Sequence, residues 1–295
     1  MKFVPKGIIP PIITPLTEDG EVNYPVLRQM VNHLIENGVH GLFPLGTTGE
    51  FYAFDNDTYR KILETVKDET AGRVPVYGGA NHITTRGVIE LIKICEEVGV
   101  DAVSVLTPMF VSQTQDELYD YFATIAASTT LPIILYNVPG RTGCNIQPET
   151  VATLVRENEN IVGLKEATGN MAQASKTMYL CDGKLDLYSG EDGLVVPLMA
   201  IGGIGVISVI ANIAPQQTHD MCASYMAGDR EKALELQMKS LPLVDALFSE
   251  VNPIPVKRAL NLLGMEVGSL RAPLCEMSDA NAAVLKQAMV EYGLL

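Results

Sequence analysis

The sequence predicts an α/β protein built as a (β/α)8 TIM barrel with a C-terminal helical extension. Short apolar runs bounded by glycine and proline recur eight times, and most are followed by a segment with helical periodicity. Alternating strands and helices imply parallel strands joined by right-handed crossovers. Eight such units within about 230 residues fit this barrel, whose typical size is about 250 residues.

The predicted strands are regularly spaced along the chain. They lie at residues 8–14, 41–45, 74–78, 102–106, 132–136, 161–165, 185–189 and 206–210. A doubly wound sheet is the alternative, but it normally carries a glycine-rich turn after its first strand. The sequence Ile13-Thr14-Pro15-Leu16 contains no glycine, so the barrel is the better prediction.

Beyond the eighth strand, helical periodicity continues without new strands. It is found at 232–248, 255–263 and 280–292, and no flexible linker precedes these segments. We therefore predict a barrel over residues 1–228, and helices over residues 229–295 that pack on it as part of one structural unit.

Composition and charge limit the classes of function. The net charge is −14, so attraction to nucleic acid or to an anionic membrane is not expected. The longest apolar stretch, 195–214, is broken by proline and glycine, which disfavours a membrane span. Five cysteines without a CxxC pair, and a start without a signal-peptide pattern, indicate a reduced, cytoplasmic protein. The four histidines lack ligand spacing, so no metal site is predicted.

Lys165 gives the strongest indication of chemistry. It lies in the run 161–167, which is typical of a strand buried on both faces, where lysine is rare. A desolvated lysine is partly unprotonated at neutral pH. Its amine can then attack a ketone to form a Schiff base, an electron sink for carbon–carbon bond chemistry. The alternative is a structural lysine that reaches water or pairs with Glu166.

In such barrels the active site forms at the C-terminal ends of the strands. The second predicted strand is followed by Gly46-Thr47-Thr48-Gly49-Glu50, whose hydroxyls and backbone N–H groups suit a carboxylate. Alternatively, one of these threonines only caps the next helix. After the seventh strand, Gly190 would let backbone groups approach a ligand closely. No basic residue accompanies it, so close packing or carboxylate binding ranks above phosphate binding.

Two further candidates lie at the end of the fifth predicted strand and in the loop after it. Tyr136 can move a proton, and Arg141 can hold a carboxylate through two hydrogen bonds. The alternatives are a tyrosine at the edge of the core and a solvated loop charge.

Five segments together resemble one known group of enzymes. They lie at 46–50, 136–143, 163–169, 205–208 and 252–257. In this combination and order they resemble the dihydrodipicolinate synthase and N-acetylneuraminate lyase superfamily of class I pyruvate aldolases, and the resemblance extends over nearly the whole chain.

The resemblance implies that Lys165 forms a Schiff base with pyruvate, without a cofactor or metal. Thr48 and the backbone of Thr47 would hold the pyruvate carboxylate. Tyr136 would deliver and remove protons, linked to the hydroxyl of Thr47. Gly190 and Ile207 would line the site, and the resulting enamine would attack a small aldehyde.

Two positions bear on the identity of that aldehyde. Arg141 resembles the arginine with which the synthase branch binds L-aspartate semialdehyde in lysine biosynthesis. Phe110, however, stands where the synthases carry a tyrosine that reaches into the neighbouring subunit's site, in a homotetramer (a dimer of dimers) or a homodimer. A sugar-acid or other 2-oxo-acid aldolase or dehydratase therefore remains an alternative, and a catalytically idle carboxylate-binding barrel is a third.

Overall fold

The computed structural model describes residues 6–295, and its centre is a single curled sheet of seven parallel strands. The strands are β1 Gly7–Ile9, β2 Tyr77–Gly79, β3 Ala102–Leu106, β4 Ile133–Asn137, β5 Ile161–Glu166, β6 Asp186–Ser189 and β7 Gly205–Ile207. Their order is β1-β7-β6-β5-β4-β3-β2, and every neighbouring pair is parallel.

The predicted strand at 41–45 lies between β1 and β2 and links the two edges of the sheet. On one side, the N–H of Tyr77 donates to the carbonyl of Leu42 at 2.8 Å. On the other, the N–H of Phe43 donates to the carbonyl of Pro10 at 3.0 Å. The segment is not a regular strand, because Pro44 has no N–H to give to a ladder. The predicted barrel is confirmed, with one of its eight positions filled by an irregular extended segment.

Four other predicted strands, at 8–14, 74–78, 185–189 and 206–210, are shorter in the structure, and the first and last of them end early for local reasons. The first ends at Ile9 because Pro10 and Pro11 follow and cannot donate to a ladder. The last ends at Ile207, and the chain then enters a short 3-10 helix, Ile210–Asn212.

Helices surround this sheet. They are α1 Tyr24–Glu36, α2 Asn56–Thr70, α3 Thr85–Val98, α4 Gln115–Ala126, α5 Pro139–Thr142, α6 Pro148–Glu157, α7 Met171–Leu180, α8 Val195–Ala200, α9 Pro215–Met226, α10 Arg230–Leu247, α11 Ile254–Leu262 and α12 Asp279–Tyr292. No helix within residues 6–295 is long and apolar enough to cross a membrane.

The predicted C-terminal extension is present as α10, α11 and α12. These helices share an apolar core of their own with the segment that follows β7. Helix α10 also packs directly along α9, the last helix before it. The division of the chain at residue 228 stays a prediction, because the packing is continuous across that point.

The inside of the barrel is filled by large apolar side chains. The cluster consists of Ile9, Phe43, Tyr77, Ala102, Ile134, Tyr188 and Ile207. A second, smaller cluster of Leu106, Tyr136 and Val138 lies where β3 and β4 end, with Ala167 packed against it. The polar strand ends described next therefore stand on a dry, close-packed interior.

Candidate active site

Lys165 lies near the C-terminal end of β5 and is only 5% exposed. Its Nζ is 4.0 Å from the ring centre of Tyr136 and 5.6 Å from that of Phe43. Burial lowers the pKa of Lys165 to about 7, while the negative charge of Asp192 acts in the opposite direction. A substantial fraction of this amine is therefore unprotonated at neutral pH, as nucleophilic attack requires.

The structure disfavours both structural roles for this lysine. At 5% exposed, the side chain does not extend to the protein surface. Glu166 is turned away, and its Oε1 accepts the backbone N–H of Thr168 at 2.7 Å. Within residues 6–295 no ion pair joins Glu166 to Lys165.

Tyr136 stands next to Lys165 because β4 and β5 are neighbours in register. Its hydroxyl hydrogen-bonds to the side chain of Thr47. Burial raises the pKa of Tyr136 to about 12, and the positive charge of Arg141 and the Thr47 bond limit that rise. The phenol therefore holds its proton at neutral pH and has a hydroxyl partner through which a proton can be exchanged.

The turn at 46–50 presents the hydroxyl of Thr48. Its Oγ1 accepts a hydrogen bond from Nδ2 of Asn252 at 2.9 Å, and both residues are buried. The turn is also anchored from below, where Thr14 Oγ1 donates to the carbonyl of Gly49 at 2.8 Å. Because Thr48 accepts from Asn252, its own hydroxyl proton remains available for an anion in the cleft.

A buried ion pair holds the end of this turn. Glu50 has a left-handed backbone (φ 55°) and is fully buried. Its Oε1 lies 2.5 Å from Nζ of Lys257, and its Oε2 accepts the N–H of Arg271 at 2.9 Å. Lys257 also donates to the carbonyl of Ser269 at 2.7 Å. Removing one partner of such a pair would leave an uncompensated buried charge.

These side chains surround one cleft of about 550 Å³. It is lined by Thr48, Tyr136, Val138, Gly140, Arg141, Lys165, Ala167, Gly190, Glu191, Val209 and the segment 248–252. Five residues predicted from the sequence therefore lie together: Thr48, Tyr136, Arg141, Lys165 and Gly190. The segment 248–252 shows that the C-terminal extension forms one wall.

Gly190 is pressed against the lysine. A Cβ at this position would lie 3.0 Å from Cγ of Lys165 and 2.7 Å from Cβ of Ala167. Any larger residue would displace the lysine side chain. Arg141 is exposed on α5 at the mouth of the cleft, and no ion pair within residues 6–295 engages it. Its guanidinium is therefore available to an anionic ligand.

Three predicted site residues do not line the cleft. Thr47 is half-buried and contributes through its bond to Tyr136. Ile207 is 2% exposed and packs inside the barrel with Ile9 and Phe43. Phe110 is 89% exposed and has a left-handed backbone (φ 78°), so it lies outside the cleft of a single chain.

Sequence reasoning missed Asn252, Lys257 and Asp192 as parts of the site. The first two lie in the segment 252–257, which carried part of the family resemblance but had no role attached. Asp192 directly follows Gly190 and Glu191 at the end of β6, and only its position at a strand end could have indicated it. Within residues 6–295 no group of three or more metal-ligating side chains is found.

Over residues 4–291 the chain matches the sequence model of the Dihydrodipicolinate synthetase family. A 4-hydroxy-tetrahydrodipicolinate synthase of Lachnoclostridium phytofermentans is 48% identical over 284 residues, covering 96% of this chain and 97% of that protein.

Solved structures agree in fold. A crystal structure of a dihydrodipicolinate synthase has a TM-score of 0.95 and 44% identity, covering 98% of this chain and 100% of that one. A structure described as the first monomeric variant of this enzyme has a TM-score of 0.96 and 39% identity, covering 98% and 97%. On the residues matched and the geometry of its cleft, the chain belongs to the Dihydrodipicolinate synthetase family.

Proposed function

We propose that this chain condenses pyruvate with L-aspartate semialdehyde through a lysine–pyruvate imine, the reaction of a 4-hydroxy-tetrahydrodipicolinate synthase. The observation that carries the proposal is the buried amine of Lys165, whose pKa is lowered to about 7 and which lies 4.0 Å from the ring centre of Tyr136. The same cleft also contains Thr48 and Arg141. The relatives' names assign the same reaction. The protein would act in the cytoplasm, in lysine biosynthesis.

The first half of the reaction forms the imine. The carboxylate of pyruvate would accept hydrogen bonds from Thr48 and from the N–H groups of its turn, which places the ketone carbon against Nζ of Lys165. The neutral amine attacks that carbon, and the ketone oxygen leaves as water with protons delivered through Tyr136. The product is a protonated imine, which draws electrons from the neighbouring methyl group.

The second half makes the carbon–carbon bond. Loss of a methyl proton gives an enamine, whose terminal carbon attacks the aldehyde carbon of the semialdehyde, and the new alkoxide takes a proton. The amino group of the former semialdehyde then attacks the imine carbon, closing a ring and releasing Lys165 as a free amine. Tyr136 and Thr47 are the hydroxyl pair suited to these transfers.

Arg141 supplies the test of the aldehyde's identity. We expect Arg141→Ala to raise the KM for L-aspartate semialdehyde about 10- to 100-fold, because a hydrogen bond to a charged group is worth about 1.5–3 kcal/mol. Pyruvate imine formation should be nearly unchanged, since the guanidinium would contact only the second substrate. Both quantities can be measured with purified protein, the first in an assay coupled to a reductase that consumes the product.

The same assay distinguishes the alternative function. A panel of sugar 2-oxo acids should give much lower kcat/KM than pyruvate with the semialdehyde. If the panel is preferred, and if Arg141→Ala leaves semialdehyde use unaltered, the sugar-acid aldolase becomes the better account. The missing hydroxyl at Phe110 is the observation that keeps this alternative open.

Phe110 also supports a proposal about assembly. An aromatic side chain that is 89% exposed beside Val111, itself 57% exposed, is suited to burial against another subunit. We propose a homodimer or a homotetramer made of two such dimers, in which this residue approaches the neighbouring cleft. Sedimentation of the purified protein would measure the assembly directly.

A hydroxyl at position 110 should then assist proton transfer. We expect Phe110→Tyr to raise kcat with the semialdehyde about tenfold or more where proton transfer limits the rate, because a positioned acid–base group contributes about 10²- to 10⁴-fold. Phe110→Leu serves as a control that changes packing without adding a hydroxyl. A neutral or harmful effect of tyrosine would count against the synthase reaction.

A further inference from the structure

Asp192 is a buried carboxylate without a role in the steps above. It begins the short 3-10 helix Asp192–Leu194, directly after Gly190 and Glu191 in the wall of the cleft, and is 3% exposed. Burying a charged carboxylate costs several kcal/mol unless it is compensated. The groups that surround Asp192 therefore show which interactions compensate its charge.

Two backbone hydrogen bonds hold one side of this carboxylate. Oδ2 accepts the N–H groups of Val209 at 2.9 Å and Ile210 at 3.1 Å. The hydroxyl of Ser208 lies beside the carboxylate and lowers its pKa. The backbone carbonyl of Asp192 accepts Nε2 of Gln237 at 2.9 Å, which ties the turn to α10. The group is thus fixed relative to the end of β7.

The second oxygen is not used by the fold. Oδ1 is buried, and no hydrogen-bond donor within residues 6–295 contacts it. Fastening the turn at 208–210 needs only an acceptor oxygen, which a neutral asparagine could supply. A full negative charge with one free oxygen exceeds that structural need.

Among the groups of residues 6–295 whose pKa the charge of Asp192 changes, Lys165 is the one cation. The negative charge of Asp192 affects Lys165 on β5, Cys222 on α9 and Tyr292 on α12, and Glu191 lies beside it in the same turn. Burial raises the pKa of both Cys222 and Tyr292, so these two remain neutral at pH 7. Arg141 also acts on Lys165 as a like charge, and Glu191 acts on it as a second negative charge with a smaller effect than Asp192.

We propose, building on the imine chemistry above, that Asp192 is a positioning residue whose charge stabilises the cationic form of the Lys165 nitrogen. That cation is first the ammonium of the free enzyme and later the protonated imine with pyruvate. The protonated imine is the species that withdraws electrons. A fixed negative charge in the segment that begins at Gly190, which packs against the Lys165 side chain, favours this intermediate, on which both halves of the reaction depend.

The test replaces the charge while keeping the shape, with Asp192→Asn. Pyruvate imine is trapped by rapid quenching into borohydride after mixing at pH 5.5 to 9, and the adduct is measured by intact mass. In the unaltered protein the midpoint should lie near the Lys165 pKa of about 7. In the variant we expect it about one pH unit lower, as for loss of one nearby opposite charge. We also expect kcat to fall about tenfold, with the KM for pyruvate changed less than about twofold.

Two further variants separate charge from structure. Gln237→Met removes the support of the same turn but leaves the carboxylate, so it should lower the melting temperature without moving the midpoint. Ser208→Ala weakens the hydrogen bonding of the carboxylate, whose pKa burial has already raised to about 6. Ser208→Ala should therefore move the midpoint in the same direction as Asp192→Asn, by a smaller amount. It replaces Asp192→Asn as the test if that variant does not fold.

The outcomes are distinguishable. Unshifted midpoints in Asp192→Asn, or in Ser208→Ala where the first variant is unfolded, would overturn this role of Asp192 while leaving the imine chemistry in place. Absence of any trapped adduct in the unaltered protein would overturn the proposed function, and this inference with it.

Discussion

Replacing Lys165 with alanine is expected to abolish condensation, with a loss of at least about 10⁴-fold in kcat, because the covalent intermediate can no longer form. Borohydride added with pyruvate should attach one pyruvate-derived group to the unaltered protein, and none to the variant. Intact mass reports the adduct, and peptide mapping locates it.

The protein contains its own control for this experiment. Lys257 is at least as buried as Lys165, at 1% exposed, but its Nζ is paired with Glu50 at 2.5 Å. Burial lowers the pKa of Lys257, whereas the Glu50 carboxylate holds it up. We therefore expect the adduct at Lys165 and none at Lys257. An adduct that persists in Lys165→Ala would show that another amine, such as that of Lys257, is the nucleophile and that the assignment is wrong.

Tyr136→Phe is expected to lower kcat about 10²- to 10⁴-fold, the usual contribution of a positioned acid–base group. The substitution keeps the ring packed against Lys165 and removes only the hydroxyl. The melting temperature should change little, which a thermal scan can check. The loss should appear mainly in kcat, because the carboxylate of pyruvate is held by the turn of Thr48 and not by the phenol.

Thr47→Val is the matched control, since it removes the hydroxyl that bonds to Tyr136 but leaves the phenol in place. We expect a smaller loss than in Tyr136→Phe. If Tyr136→Phe stays within about twofold of the unaltered protein, another group carries the protons and the mechanism above is wrong in its central step.

The barrel could be predicted from the sequence because each of its units carries a local signal. An apolar run such as 102–106 is bounded by turn residues, and the structure places β3 at those same residues. For the first two predicted strands, the prediction failed where proline intervened. At Pro10, Pro11 and Pro44 the apolar character continues but the ladder of N–H donors is broken, so the strands are shorter or irregular.

The inner part of the site was also accessible to sequence reasoning. Lys165, Tyr136 and Thr48 follow or end strands, and in a barrel the strand ends meet at one face. Asn252 and Lys257 were not accessible in the same way, because their partners Thr48 and Glu50 are more than two hundred positions away and no local pattern reports such a contact. The role of Phe110 was not predictable for a related reason, because its expected partner belongs to another chain.

The dependence of the Thr48 turn on Asn252 and Lys257 has a consequence for synthesis on the ribosome. Lys165 and Tyr136 emerge well before these two residues, by about 5 to 20 seconds at ordinary rates of chain elongation. Throughout that interval Lys165 and the turn at 46–50 are both present, but the turn lacks the two side chains that hold it. A protein of this design therefore acquires its complete substrate pocket only after the segment 252–257 has been made, and chains released before that point carry the lysine without the contacts that hold the turn.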